Sequence, residues 1–226
     1  SKIRPDLLHC TSNTAPIHCP VPLVLTLHDI IFLEPRQGGN RSWYQNMGWY
    51  YRRMVVPRIL SQCEKIITVS HFECNRIREA LQLPKDKITA IYNGYSEHFR
   101  PLSETLSITR KYIDDDDYIF FLGNTDPKKN VARTLKAYSL YLKQSDKKRP
   151  LLIADLSKDK LDAILREQQI EEIKPYLSYP GYIPNKDLAY LYNGAFVFLY
   201  TSLRESFGIP RLEAMACGTP VITGNT

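Results

Sequence analysis

The sequence predicts an α/β fold with mostly parallel sheets, divided into two domains. Three observations carry this. Short apolar runs such as "PLVLTL", "KIITVS" and "YIFFLG" recur along the chain, helix-length segments separate them, and an acidic, polar stretch interrupts the rhythm near the middle.

Taken in order, "PLVLTL" reads as a strand ending at "HDI". A helix is expected from about Ser42 to Leu60, with Tyr44, Met47, Tyr51 and Met54 at helical spacing and Arg52, Arg53 and Arg58 elsewhere on the turn. "KIITVS" is the next strand. Ser70 or His71 stands near the start of the helix "SHFECNRIREAL", and "KITAIYNGY" gives a third strand closing at Asn93-Gly94. The run Asp114 to Asp117 lacks a strand-flanked D-x-D context and reads as a solvated linker, so the domains are expected over 1–106 and 107–226. The second half then alternates "YIFFLG", "NVARTLKAYSLYLKQS", "PLLIADL", "KDKLDAILREQQ", "LSYPGYI", "NKDLAYLYNGA", "FVFLYTS", "PRLEAMAC" and "PVIT". A chain that ends one strand after a helix, with few units in its first half, reads as a fragment of a longer enzyme.

Length and composition fit this organisation. The 226 residues are 43% hydrophobic, enough to bury a core as one large or two small domains. Apolar runs are too short to cross a bilayer and the first residues lack a signal-peptide pattern, so a cytoplasmic location is expected. Five cysteines, an odd number without C-x-x-C spacing, read as reduced thiols with no zinc site. A net charge of +6 favours phosphates or an anionic surface. Nucleic acid is disfavoured, because the basic residues are scattered among helices rather than gathered with aromatics.

The chemistry concentrates in "TSLRESFGIPRLEAMACGTPVI". Pro210 suits a first helical position and Gly218 a helix end, so a helix is expected from Pro210 to Cys217, with Glu205 in the preceding loop and Glu213 in the first turn. Amides of Phe207, Gly208 and Ile209 would then meet an anion, and Gly208 lets the backbone approach it closely. Two carboxylates beside a phosphate would repel it. They fit better as acceptors for hydroxyls on either side of a diphosphate, which is the pattern of a nucleotide sugar. A dipole-complementing Glu213 and a solvated Glu205 are the plainer alternative.

At this stretch the chain resembles the retaining glycosyltransferases of family 4, with a GT-B fold of two Rossmann-like domains facing a cleft. Glu205 and Glu213 match the family's E-x7-E signature, and the likeness runs in order through "HDIIFLEP", "CEKIITVSHFECNRI", "KITAIYNGYSEHFRP", "LGNTDPKKNVARTLKAY" and "GYIPNKDLAYLYNGAFVFLYTS". "LHDIIFLEP" and "GNTDPKKN" together point to mannosyltransferase-like members that build bacterial surface polysaccharides. The family implies that both domains are incomplete in this chain.

The resemblance implies roles for individual residues. Glu205 contacts the donor sugar, Glu213 the ribose, and Phe207, Gly208 and Ile209 hold the diphosphate. Lys129 neutralises the leaving group, with Lys128 standing where relatives often carry Arg and so lacking a bidentate fork. Tyr182 and Ile183 match the segment that meets the nucleobase through its backbone. His28 matches a cleft position near the transferred sugar, and domain closure is expected to bring it against Glu205. Ser70 resembles a position near the cleft or simply caps a helix. The implied reaction is hexosyl transfer with retention from a nucleoside diphosphate sugar, GDP-mannose ahead of UDP-glucose, to a glycan or lipid-linked acceptor. Neither a metal nor another cofactor is expected. A nucleotide-sugar-binding module and a sugar-nucleotide epimerase of similar fold are the competing readings. The aromatic, basic helix near Ser42 is expected either to rest on an anionic membrane or to pack its Tyr and Met stripe into the first domain with its arginines in water.

Overall fold

The computed structural model describes residues 4–34, 43–124 and 126–225, with the side chains of Tyr44 and Gln45 outside that description. Pro35, Ser42 and Thr125, which fall in stretches read above, also lie outside it. The chain divides at Asn93 and Gly94 into two compact units.

The first unit is a four-stranded parallel sheet in the order β1-β2-β3-β4, formed by Leu8–Cys10, Leu23–Thr26, Cys63–Thr68 and Ile88–Ala90. The three-residue β1 carries no apolar alternation long enough to be read from sequence. Helix α1, Trp43–Gln62, runs directly into β3, and α2, His71–Leu81, joins β3 to β4. Leu23, Leu25, Ile66 and Ile88 from the strands pack with Val55, Val56, Ile59 and Ile77 from the helices. Ser70 caps α2, its Oγ accepting from the Glu73 amide at 3.1 Å.

The structure corrects the reading of α1. The face that packs on the sheet is Val55, Val56, Ile59 and Leu60, while Met47, Tyr51 and Met54 are exposed. The helix thus has apolar residues on two faces rather than one amphipathic face. Its apolar periodicity marked a stripe without marking the stripe that the sheet takes.

The second unit is a five-stranded parallel sheet in the order β7-β6-β5-β8-β9, formed by Leu177–Gly181, Leu151–Ala154, Tyr118–Leu122, Ala195–Tyr200 and Val221–Thr223. Helices α4 (Val131–Gln144), α5 (Lys158–Gln168), α6 (Asn185–Gly194) and α7 (Ile209–Ala216) alternate with these strands. Central strands are apolar on both sides because both sheet faces are covered. Phe120, Leu152 and Phe198 pack with Tyr192 and Ala214 on one face, and Phe121, Ile153 and Val197 pack with Leu135, Leu161 and Leu165 on the other.

The passage between units lies ahead of the 106/107 boundary read from sequence. Phe99 is buried against Tyr192, with ring centroids 5.9 Å apart, and the Asn193 side chain bonds the Leu102 amide and the Arg100 carbonyl, each at 2.9 Å. A short helix α3, Leu106–Thr109, also packs on α6. The polar composition of this segment concealed one buried aromatic anchor. The acidic run is likewise more than a solvated linker. Asp117 takes the Arg149 guanidinium at 2.6 Å and the Lys147 ammonium, while Asp116 pairs with Arg110 at 2.7 Å. Burial raises the Asp117 carboxyl, but its hydrogen bonds and charge pairing with Lys147 and Arg149 outweigh this and hold it low.

Candidate functional site

Strand order reverses between β5 and β8. Units β5, β6 and β7 build outward in one direction, then β8 returns to the other side of β5. Loops leaving the carboxyl ends of β5 and β8 therefore lie side by side at the reversal point, the place where open α/β sheets bind ligands.

Residues 76 positions apart in the chain meet there. After β5, a 3-10 turn over Pro127–Lys129 is capped by Asp126, whose side chain accepts from the Lys128 amide at 3.0 Å. Three bonds fasten this turn to the loop after β8. The Leu203 amide donates to the Lys128 carbonyl at 2.7 Å, Asn130 Nδ2 to the Thr201 carbonyl at 3.2 Å, and the Thr134 and Thr201 hydroxyls lie 2.6 Å apart. On this frame Lys129 Nζ stands 2.8 Å from Glu205 Oε1, with the side chains only 16% and 23% exposed. Lys128 instead points to Asp126 at 3.8 Å in an exposed pair.

Gly208 turns the chain into α7 with φ of +87°, a left-handed conformation that L side chains rarely adopt. A Cβ there would come within 2.9 Å of Arg211 Nε and 3.2 Å of the Tyr200 ring and hydroxyl. The helix starts at Ile209, one residue earlier than expected from Pro210, and ends at Ala216. Glu213 consequently lies in the second turn, and the first turn contains no acid. This corrects both its expected placement and the dipole-complementing alternative. The shift arises because Gly208, not the proline, breaks the helical path.

The two carboxylates have opposite electrostatic surroundings. Burial raises the Glu205 carboxyl, but the hydrogen bond and charge of Lys129, helped by Ser202 and Lys128, outweigh it and hold the group below the ordinary value of 4.5. Burial raises Glu213 above that value, weakly opposed by the Tyr192 hydroxyl 3.4 Å away. Stability from Glu205 is therefore full above about 4.5 and lost as pH falls through its lowered value, whereas stability from Glu213 is full below 4.5 and lost as pH rises through its raised value. Urea unfolding from about pH 3 to 8 should show Glu205→Gln destabilising near neutral pH by about 1–3 kcal/mol. Glu213→Gln should stabilise at the same pH, and equal signs would refute this electrostatic assignment.

The remaining expected residues are distributed as follows. Phe207, Gly208 and Ile209 form the turn beside the Lys129–Glu205 pair. Tyr182, exposed, and Ile183, buried, follow the end of β7 on the carboxyl edge of the same sheet. His28 belongs to the first unit, just past the end of β2. Its Nε2 donates to the Thr11 carbonyl at 3.0 Å, and its amide donates to Asn13 Oδ1 at 2.7 Å. The carbonyl can only accept, so Nε2 carries a proton and Nδ1 is the nitrogen left for other work.

Two further residues join the site without having been selected from sequence. The Tyr200 hydroxyl is buried with no hydrogen-bond partner among the described residues, and Lys129 Nζ lies 5.4 Å from its ring centroid. Burial, then the charge of Glu205, pushes that hydroxyl's pKa up. Arg211 folds back over the turn, its Nη2 donating to the Phe207 carbonyl at 2.6 Å. Arg211 stood visibly beside Pro210 in the motif, but the apolar strand around Tyr200 gave it no polar signal.

Comparison with known proteins gives the family and the fold. Residues 106–226 match the family described as "Glycosyl transferases group 1", and residues 1–98 match "Glycosyltransferase Family 4". The O-antigen chain mannosyltransferase B of Escherichia coli is 31% identical over 206 residues, covering 89% of this chain and 52% of that protein. The chain thus spans about half the length of that relative. Among solved structures, sucrose-phosphate synthase from Thermosynechococcus elongatus superposes with a TM-score of 0.70 at 20% identity, covering 91% of this chain and 51% of that one. Anabaena HepE in complex with UDP gives 0.64 at 19% identity, covering 91% and 54%. With its two parallel-sheet units and the signature-bearing turn after β8, the chain belongs to the group 1 glycosyl transferases and has the GT-B fold.

Proposed function

We propose that the second unit binds a nucleoside diphosphate sugar, GDP-mannose ahead of UDP-glucose, and that the full-length protein transfers the hexose with retention to a glycan or lipid-linked acceptor in surface polysaccharide synthesis. The observation that carries this is the Lys129–Glu205 pair, held where the sheet order reverses and beside the Gly208 turn. The mannosyltransferase relative favours mannose, and the UDP complex of a protein of like fold favours a nucleotide donor.

The chemistry follows from charge. A diphosphate entering the turn competes with Glu205 for the Lys129 ammonium, freeing the carboxylate to accept hydroxyls of the sugar. Glu213, a turn further along α7, serves the ribose hydroxyls, and the backbone at Tyr182 and Ile183 meets the base. In the transfer step the bond from the anomeric carbon to the phosphate oxygen breaks as the acceptor oxygen bonds to the same face, and the leaving phosphate takes the acceptor proton. Negative charge grows on the diphosphate during this step. Lys129, Lys128 and the amides of Phe207, Gly208 and Ile209 stabilise it without a metal. His28 orients the sugar or acceptor through Nδ1.

Calorimetric titration with GDP, GDP-mannose, UDP and UDP-glucose tests the donor site. Selective binding of one nucleotide family, weakened roughly 10-fold by Glu213→Ala, is expected from the loss of a charged hydrogen-bond acceptor. Absence of binding to both the folded chain and the full-length protein would overturn the reading. Acceptor-dependent release of nucleotide by the full-length protein separates the transferase from a binding module.

A further inference from the structure

The face of α1 turned away from the sheet has a chemistry of its own. Trp43, Met47, Tyr50, Tyr51 and Met54 recur at i, i+4, i+7, i+8 and i+11, which places them along one side of a helix. They are 48–76% exposed, whereas Val55, Val56, Ile59 and Leu60, on the other side, are at most 4% exposed. Large apolar side chains aligned in this way mark an interaction surface rather than ordinary surface scatter.

Charge identifies the partner. Between Glu34 and Glu64 the sequence contains Arg36, Arg41, Arg52, Arg53 and Arg58 and no acidic residue, against a net charge of +6 for the whole chain. Within α1, Arg52, Arg53 and Arg58 are exposed, and the Arg53 guanidinium lies 4.3 Å over the Trp49 ring. Both tryptophans of the chain are on this helix. Trp and Tyr favour the boundary between water and hydrocarbon, Met and the aromatic rings bury there, and guanidinium groups pair with lipid phosphates. A second copy of the same face would oppose arginines to arginines.

We propose that α1 docks this protein flat on an anionic phospholipid bilayer, with Trp43, Met47, Tyr50, Tyr51 and Met54 entering the headgroup boundary and Arg53 and Arg58, which flank that stripe on the helix, holding the phosphates. None of the described helices is long and apolar enough to cross a membrane, so the contact made by α1 is peripheral. This docking stands apart from the donor-site reading, since it involves neither Lys129 nor Glu205. It would place the chain beside an acceptor carried on lipid.

Because Trp43 and Trp49 are the only tryptophans, fluorescence reports on this helix directly. The chain should sediment with vesicles of phosphatidylglycerol and phosphatidylcholine in equal parts, with a blue shift in tryptophan emission, and should not sediment with pure phosphatidylcholine. The double change Arg53→Gln and Arg58→Gln should weaken partitioning roughly 30-fold, as expected for two cations near an anionic surface. Met47→Ser with Met54→Ser should reduce both binding and blue shift. Both sets of substitutions alter exposed side chains, and an unchanged circular dichroism spectrum and melting temperature establish that the variants are folded. Failure to bind anionic vesicles, equal binding to neutral ones, or a concentration-dependent blue shift without lipid that signals self-association would each overturn the proposal.

Discussion

Replacing Lys129 by Ala in the full-length protein is expected to lower kcat/KM for sugar transfer by about 100- to 1,000-fold, the usual effect of removing one preorganised group that stabilises developing charge. Lys129 is largely shielded from water, and it is held by its 2.8 Å contact with Glu205. Lys128→Ala should cost far less, because its ammonium is exposed and turned toward Asp126. Glu205→Ala alone should also impair transfer, by removing the acceptor for the sugar hydroxyls. The two losses should not add in Lys129→Ala/Glu205→Ala. Each single change leaves a half-buried partner uncompensated, and the double change removes both. Steady-state kinetics on the parent, the two single variants and the double variant would decide this, and a Lys129→Ala enzyme with nearly the parent's kcat/KM would sink the proposed role.

Gly208→Ala should lower both stability and donor affinity. Forcing an L side chain into this left-handed conformation costs about 1–2 kcal/mol. The new methyl would also press on Arg211 Nε at 2.9 Å and on the buried Tyr200 ring at 3.2 Å. Arg211 can give way, but Tyr200 is packed in the core with Phe198 and Ala214. Together these effects should lower Tm by roughly 5 °C. Displacement of the Gly208 and Ile209 amides should weaken donor binding by roughly 10-fold, the loss of about one hydrogen bond to a charged group. Gly218→Ala provides the comparison. That residue has φ of +83°, but a Cβ added to it would meet no atom within 4 Å, so the variant should lose stability through backbone strain alone and keep donor affinity. Equal donor affinities for the two variants would remove Gly208 from the site.

Much of the architecture was legible because it is written in short-range chemistry. Alternation of apolar strands with helical segments gave the parallel α/β class and every strand of the second unit except β7, whose "LSYPG" has no continuous apolar run. The left-handed turn was marked by Gly208, and the helix end by Gly218, since these conformations depend on the residue that occupies them. The spacing of Glu205 and Glu213 likewise needed no tertiary information. Position in three dimensions was harder to read. The stripe that α1 turns to the sheet was missed, and nothing local shows that Phe99 anchors the polar segment after Gly94 to the second unit.

By itself, then, the sequence determined the longer elements, the signature turn and the charge of the α1 region, because periodicity, turn chemistry and composition are properties of neighbouring residues. The meeting of Lys129 with Glu205, the burial of the Tyr200 hydroxyl, and the outward direction of the Met47, Tyr51 and Met54 stripe were decided only by tertiary structure. Each depends on which strand pairs with which and which helix face the sheet covers. Those outcomes minimise the free energy of the assembled core, where residues distant in the chain compete for the same buried surface.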